Sequence, residues 1–295
     1  MFLPRKVLEG KLRNMLTEDI GQGDITTALV IPADSTAEAE VITKESGVIA
    51  GMEEAKILLE DLGLKVENLV SDGEKVKAKN ILMKISGNTR TILTGERTLL
   101  NIVSRMSGIA TTTRKMVEKI RKERLRTKVA STRKVAPGLL YFDKKAILIG
   151  GGDTHRLHLD DMILIKDNHI AVVGSVEKAV KTVRRNASFS KKIEVEVTKV
   201  KDVLTAAKAG ADIIMLDNFS TKQIEKAVKL LRKEHLYREV LLEASGGITV
   251  ENILAHASTG VDIVSLGEIT DSAKALDISL EITRTHQDMK SKPVL

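Results

Sequence analysis

The chain predicts an α/β protein: a small α+β region followed by a parallel α/β barrel. Short β-branched runs recur in the second half, at Lys128–Ser131, Met162–Ile165, Ile193–Val197, Asp212–Leu216, Val240–Glu243 and Val261–Leu266. Helical patterns lie between most of them, over Val176–Arg185, Val200–Ala209, Lys222–Lys233 and Val250–Ala257. Such alternation indicates βαβ units and a parallel sheet. Two of the runs, Ile163-Leu164-Ile165 and Ile213-Ile214-Met215-Leu216, are continuously apolar, as strands covered on both faces require. A barrel and a doubly wound sheet both satisfy this pattern. The absence of a G-x-G-x-x-G opening, with this many units, favours the barrel.

The first hundred residues read differently. Ala37–Ile49 alternates as a strand does, and Met52–Leu62 is helical and stops at Gly63. Lys65–Ile85 reads as short strands around the turn Ser71-Asp72-Gly73-Glu74. Asn88-Thr89 turns the chain again before a helix capped by Thr94, and the helical pattern continues from Gly95 to Lys122. These shifts divide the chain into residues 1–107, 108–272 and a tail of 273–295 expected to return to the N-terminal domain.

Composition excludes several classes. With no cysteine in 295 residues, disulfide frameworks and thiolate metal sites are ruled out. No segment approaches the roughly 20 apolar residues of a membrane span. Charges interrupt the N-terminal MFLPRKVLEG, so it does not read as a secretion signal, and a cytoplasmic enzyme is expected. The net charge of +7 could suit nucleic acid, but aromatic residues make up only 2%, leaving few stacking platforms. The densest basic stretch, Lys115 to Lys128, is broken by Glu118 and Glu123 and reads as a solvated helix face. No nucleic-acid and no membrane partner is expected.

The chemistry falls at strand ends. Lys128–Ser131 runs into Arg133-Lys134, and Met162–Ile165 into Lys166-Asp167-Asn168-His169. Ile193–Val197 carries Glu194 and Glu196, two apart and so on one face. The next run ends in Asp217-Asn218, the next in Ser245-Gly246-Gly247, and the last in Gly267-Glu268. In a barrel these carboxyl ends converge on one mouth, and glycine turns after the last two strands suit a phosphate. Cations at such a mouth are costly unless an anion meets them. Arg133, Lys134, His155, Arg156 and Lys166 therefore suggest a ligand with several negative charges. Glu196 and Asp217 fit a hard cation such as Mg2+ shared with substrate phosphates, or else neutralise Lys166 or Arg133. Glu194 is expected to anchor a basic neighbour, and His169 to cap or brace its strand end. Without an H-x-x-x-H helix pattern or a cysteine partner, His155 argues against zinc.

Together these segments resemble the quinolinate phosphoribosyltransferases (carboxylating nicotinate-nucleotide pyrophosphorylases). The resemblance rests on Glu18–Thr26, Glu96–Asn101, Ser107–Thr111, Thr132-Arg133-Lys134 with Pro137-Gly138, and Gly150-Gly151-Gly152 with His155-Arg156. It continues through Ile165–His169, Glu194–Val197, Leu216-Asp217-Asn218 and Glu243–Gly247. It spans nearly the whole chain, with the motifs in order. It implies an N-terminal α/β sandwich domain and an incomplete, TIM-like α/β barrel. It implies transfer of phosphoribosyl from phosphoribosyl pyrophosphate to quinolinate, with loss of carbon dioxide and pyrophosphate, giving nicotinate mononucleotide for NAD synthesis. It also implies a homodimer, or a higher oligomer built on it, with Arg97 supplied across the interface.

By the family pattern Arg133, His155, Arg156 and Lys166 surround the dicarboxylate, and Lys134 faces phosphate. Glu196 and Asp217 serve the Mg2+–pyrophosphate and ribose side, where with Lys134 they are the catalytic candidates. Ser245, Gly246, Gly247 and Gly267 hold the 5′-phosphate. Two positions depart from the family. Leu140 stands where a basic residue usually follows Pro-Gly-Leu, and Asp153-Thr154 precede His155 where another residue and Asn are usual.

Overall fold

The computed structural model describes residues 3–286. In chain order the elements are α1 (Arg5–Ile20), α2 (Ile25–Val30), β1 (Thr36–Thr43), β2 (Gly47–Val48), α3 (Met52–Asp61), β3 (Lys65–Asn68), β4 (Lys75–Val76), β5 (Ile81–Asn88) and α4 (Thr89–Lys122). There follow β6 (Lys128–Ser131), α5 (Leu140–Gly150), β7 (Ile163–Ile165), α6 (Asp167–Val173), α7 (Val176–Asn186), β8 (Ile193–Val197) and α8 (Val200–Ala209). The chain closes with β9 (Ile213–Asp217), α9 (Thr221–Lys233), β10 (Leu241–Ser245), α10 (Ile253–Ala257), β11 (Ile263–Leu266), α11 (Glu268–Asp271) and β12 (Ile278–His286). Two compact units result: residues up to Thr111 with those from Ala273 onward, and Thr112–Ser272.

The first unit is a four-stranded antiparallel sheet in the order β12-β1-β5-β3. Along β1 the residues Ala37, Ala39 and Val41 are buried, the period-2 face that the sequence shows. Helix α1 buries Leu8, Leu12 and Leu16, a stripe of i,i+4 spacing. Within this unit Gly108 on α4 meets the backbone after α11: a Cβ there would lie 1.9 Å from the Lys274 carbonyl oxygen. Only glycine permits that approach.

The second unit is a six-stranded parallel sheet in the order β6-β11-β10-β9-β8-β7, with β6 and β7 as its edges. Its strands are apolar on the face that meets the helices, and Val195, Ile214, Leu242 and Val264 are fully buried. The segment at Asp153 bridges the outer edge of β6: Asp153 donates its N–H to the Val129 carbonyl (2.7 Å), and Ser131 donates to the Asp153 carbonyl (3.0 Å). That bridge, rather than a hydrogen bond to β7, occupies the open edge of β6.

Several local expectations are corrected. Helix α4 starts at Thr89 because the Asn88 side chain accepts the Thr91 N–H (3.2 Å), so Thr94 lies inside the helix and its hydroxyl donates to Asp24 (3.2 Å). The strand expected over Ala37–Ile49 breaks after Thr43, whose hydroxyl donates to the Glu45 carbonyl (2.6 Å). The helix expected from Val250 begins at Ile253, because Asn252 accepts the Thr249 N–H (2.8 Å) in a preceding turn. Helices α1, α2, α5 and α6 were not legible as such. In α5 the apolar run LLYF…AILIG is buried on most sides, so it lacks a clear period.

Candidate active site

The carboxyl ends of all six parallel strands open onto one cleft of about 690 Å³. Arg133, Lys134, His155, Arg156, Lys166, Glu196, Asp217, Ser245, Gly246, Gly247 and Gly267 line it. Arg97 is an exposed residue of α4 in the other unit and is not among the lining residues.

Register decides which side chains enter the cleft. Met215 on β9 pairs with Glu196 on β8 and with Glu243 on β10, so these three stand in one row. One inward position further along, Asp217 pairs with Ser245. One position back on β8 is Glu194, which is fully buried, as is Glu243. Period-2 alternation thus sends Glu194, Glu196, Asp217, Glu243 and Ser245 to the same side of the sheet.

The segment bridging β6 inserts His155 above this row. Its backbone is left-handed (φ 53°), and its N–H is held by the Asp153 carboxylate at 2.9 Å. A non-glycine residue in that region is uncommon and needs such local support. The Nε2 atom lies 3.2 Å from Glu243 Oε2 and 3.3 Å from Glu194 Oε2. Burial by itself would favour the neutral ring, but the carboxylates of Glu194 and Glu243 beside Nε2 outweigh it and raise the His155 pKa to about 10. His155 is therefore an imidazolium at neutral pH. Burial pushes the Glu194 carboxyl up, against the attraction of the His155 ring. The same burial holds Arg156 below the usual guanidinium range, and the nearby Arg133 charge acts in the same direction. Two cations that repel each other at one wall form a receptor for an anion.

His155, Glu194 and Glu243 are also the cluster among the described residues whose ligand atoms all lie within 4.8 Å of one another. Charge balance argues against a metal there. The two carboxylates already face the His155 imidazolium and feel the Arg156 guanidinium, so the group is near neutral without an ion. Glu194 anchors a basic neighbour as its position suggested, and that neighbour is His155.

Opposite, Lys166 Nζ pairs with Glu196 Oε2 at 3.2 Å, and Asp217 accepts from the Asn218 amide at 2.9 Å. His169 caps α6, its Nδ1 accepting the Lys166 N–H at 2.9 Å. Gly246 (φ 91°) turns beneath Asn218, and a Cβ on it would sit 2.3 Å from Asn218 Oδ1. At Gly267 a Cβ would lie 2.8 Å from Lys134 Cδ, so this glycine lets the Lys134 stem lie along the end of β11. Lys134 is further fixed by its carbonyl, which accepts from the Thr270 hydroxyl at 2.6 Å.

Glu243 and Lys144 escaped the sequence reading. A glutamate inside the apolar run Leu241–Ala244 was the available signal for the first, since such a charge must meet a partner. Of the departures from the family pattern, Leu140 opens α5 and does not line the cleft, while Asp153 and Thr154 act through atoms that hold His155 and Lys144.

Comparison with known proteins identifies the family of the chain. Family models for the quinolinate phosphoribosyl transferase N-terminal and C-terminal domains match residues 24–107 and 109–281. A probable carboxylating nicotinate-nucleotide pyrophosphorylase of Methanothermobacter thermautotrophicus is 44% identical over 271 residues, 92% of this chain and 97% of its own length. The Mycobacterium leprae carboxylating nicotinate-nucleotide pyrophosphorylase is 40% identical over 276 residues, 92% of this chain and 95% of its own. The solved nicotinate-nucleotide pyrophosphorylase of Francisella tularensis superposes with a TM-score of 0.86 at 40% identity, covering 96% of this chain and 98% of that one. By sequence and by fold, the chain belongs to the quinolinate phosphoribosyl transferase family.

Proposed function

We propose that the cleft transfers the phosphoribosyl group of phosphoribosyl pyrophosphate to the ring nitrogen of quinolinate. Pyrophosphate and carbon dioxide leave, and nicotinate mononucleotide results for NAD synthesis. The observation that carries this reading is the convergence of Arg133, His155, Arg156 and Lys166 with Glu196 and Asp217 on one cleft. Two ring carboxylates suit fork-like guanidinium contacts, and an imidazolium fixed by buried carboxylates adds a donor that needs no reorganisation.

Lys134, held against Gly267, takes phosphate charge, and the Ser245-Gly246-Gly247 turn receives the 5′-phosphate. As pyrophosphate departs, the ribosyl carbon becomes oxocarbenium-like, and Glu196 and Asp217 are placed to stabilise its positive charge. These two oxygen-only donors, on one face of adjacent strands, also suit Mg2+ held jointly with substrate phosphates. When bound, that ion would neutralise leaving-group charge. Loss of the carboxylate next to the nitrogen as carbon dioxide leaves an electron pair on that carbon, which the newly cationic ring stabilises until a proton from water completes the product. A homodimer, or a larger assembly of such dimers, in which an exposed Arg97 reaches the partner's cleft is part of the same reading. So is a cytoplasmic location: among the described residues no helix is long and apolar enough to cross a membrane, and the chain has no cysteine.

Incubation with phosphoribosyl pyrophosphate, magnesium and either quinolinate or nicotinate tests the reading. Quinolinate is expected to give nicotinate mononucleotide with stoichiometric carbon dioxide, and chelation of magnesium to stop it. Turnover of nicotinate with none of quinolinate overturns it. The likeness to human nicotinic acid phosphoribosyltransferase, at 12% identity and a TM-score of 0.61, concerns the fold alone.

A further inference from the structure

The quinolinate reading leaves one fully buried cation without a role. Lys144 lies in the first half of α5 among buried Tyr141, Phe142, Ala146 and Ile147. An ammonium has three donors and no acceptor, and a buried one is costly unless all are satisfied. Here each finds an oxygen: Ser131 Oγ at 2.8 Å, the Thr132 carbonyl at 2.7 Å and the Thr154 carbonyl at 2.5 Å. Ser131 Oγ itself donates to the Thr154 carbonyl at 3.2 Å, closing the cluster.

The acceptors come from two separate segments. Ser131 and Thr132 end β6 and run directly into Arg133, while Thr154 immediately precedes His155 and Arg156. The bridge between Ala130 and Asp153 ties the same segments one residue earlier. It stops short of the residues that carry the guanidinium groups, and the Lys144 ammonium extends the tie up to them. If only packing were needed, an apolar side chain would fill this space without the desolvation cost.

We propose that Lys144 is a positioning residue whose ammonium fixes the spacing between the Arg133 loop and the His155–Arg156 loop, and so sets the cleft's affinity for the dicarboxylate. This rests on the quinolinate reading above. The phosphate side is affected less, because Lys134 has its own anchor in Thr270. Burial pulls the Lys144 pKa down to about 8, and Arg133 adds to the lowering, while Asp143 on the same helix and Asp153 on the bridging segment oppose it. The tie therefore weakens as pH rises through about 8.

The test is Lys144→Met in the full chain, with quinolinate and phosphoribosyl pyrophosphate binding measured by calorimetry. Expected are native circular dichroism, quinolinate binding weakened about tenfold or more, and phosphoribosyl pyrophosphate binding changed less than threefold. In the unmodified protein quinolinate affinity falls between pH 7 and 9, a step the variant lacks. Ser131→Ala, which removes one acceptor and leaves two, should give a smaller loss with the same selectivity. A folded Lys144→Met that binds quinolinate within twofold of the unmodified protein overturns the inference. If that variant does not fold, a flat pH profile together with an unaffected Ser131→Ala overturns it. An unmodified protein that binds no quinolinate overturns the functional reading, and this inference with it.

Discussion

Glu243 and Glu196 flank the same Met215 in one register row, yet they do different work. Glu243, with Glu194, forms a floor: both are fully buried and both face His155, whose side chain is only 11% exposed. Glu196, with Asp217, forms a rim: the Glu196 side chain is 12% exposed, its partner Lys166 is 49% exposed, and both line the open cleft. The strand positions are equivalent, and what covers them is not. A carboxylate sealed under an imidazolium is committed to holding it, because leaving either charge unpaired is expensive. A carboxylate beside a solvated lysine can exchange that weak partner for a cation or a ribosyl centre.

Substitution at the rim is the sharpest way to break this comparison. Glu196→Gln or Asp217→Asn is expected to lower kcat about 10³-fold, the scale of losing preorganised transition-state charge. Urea unfolding should move by about 1 kcal/mol or less, as for a carboxylate whose ion-pair partner is half-exposed. A rim variant that loses stability but keeps kcat would show that these carboxylates are structural. At the floor the balance reverses. Glu243→Gln should cost about 3 kcal/mol in the same unfolding measurement, the range for breaking a buried charge pair. A cost below about 1 kcal/mol would mean that the floor is not a committed pair.

A third check on the comparison is the pH dependence of stability. The folded His155 pKa, about 10, lies above its ordinary value of 6.5. The stabilisation is thus fully present below pH 6.5 and is lost as pH rises through about 10. The raised carboxyl of Glu194 acts with the same sign, since a group that resists ionisation costs more as pH rises. Stability is expected to fall steadily between about pH 6.5 and 10 and to level off above that. Nitrogen-15 chemical shifts of the His155 ring should still report imidazolium at pH 8, and a neutral ring there would break the floor half of the comparison.

Much of this was legible in the sequence because strands and their termini are local features. The apolar run at 213–216 placed a buried parallel strand and the run at 163–165 a second strand, half-buried at the sheet edge, and the polar residues that follow each run placed the cleft. Glycines at 246 and 267 were visible too, although their reason was not. Gly246 is needed because the Asn218 side chain lies where a Cβ would be, and Gly267 because the Lys134 stem lies against it. Asp153 and Thr154 looked like departures from a pattern. In the fold Asp153 holds the His155 amide and Thr154 contributes its backbone carbonyl, which any residue can supply.

The sequence by itself determined the α/β class, the order of the parallel units and the set of cations and carboxylates at the strand ends. These follow from hydrophobic periodicity and from the cost of placing charge beside an apolar strand. Only the tertiary structure decided which carboxylates are sealed and which are open, that Glu243 joins Glu194 under His155, and that Lys144 ties two loops together. Those outcomes depend on partners tens of residues away and on how much water each group keeps, and no local pattern encodes either.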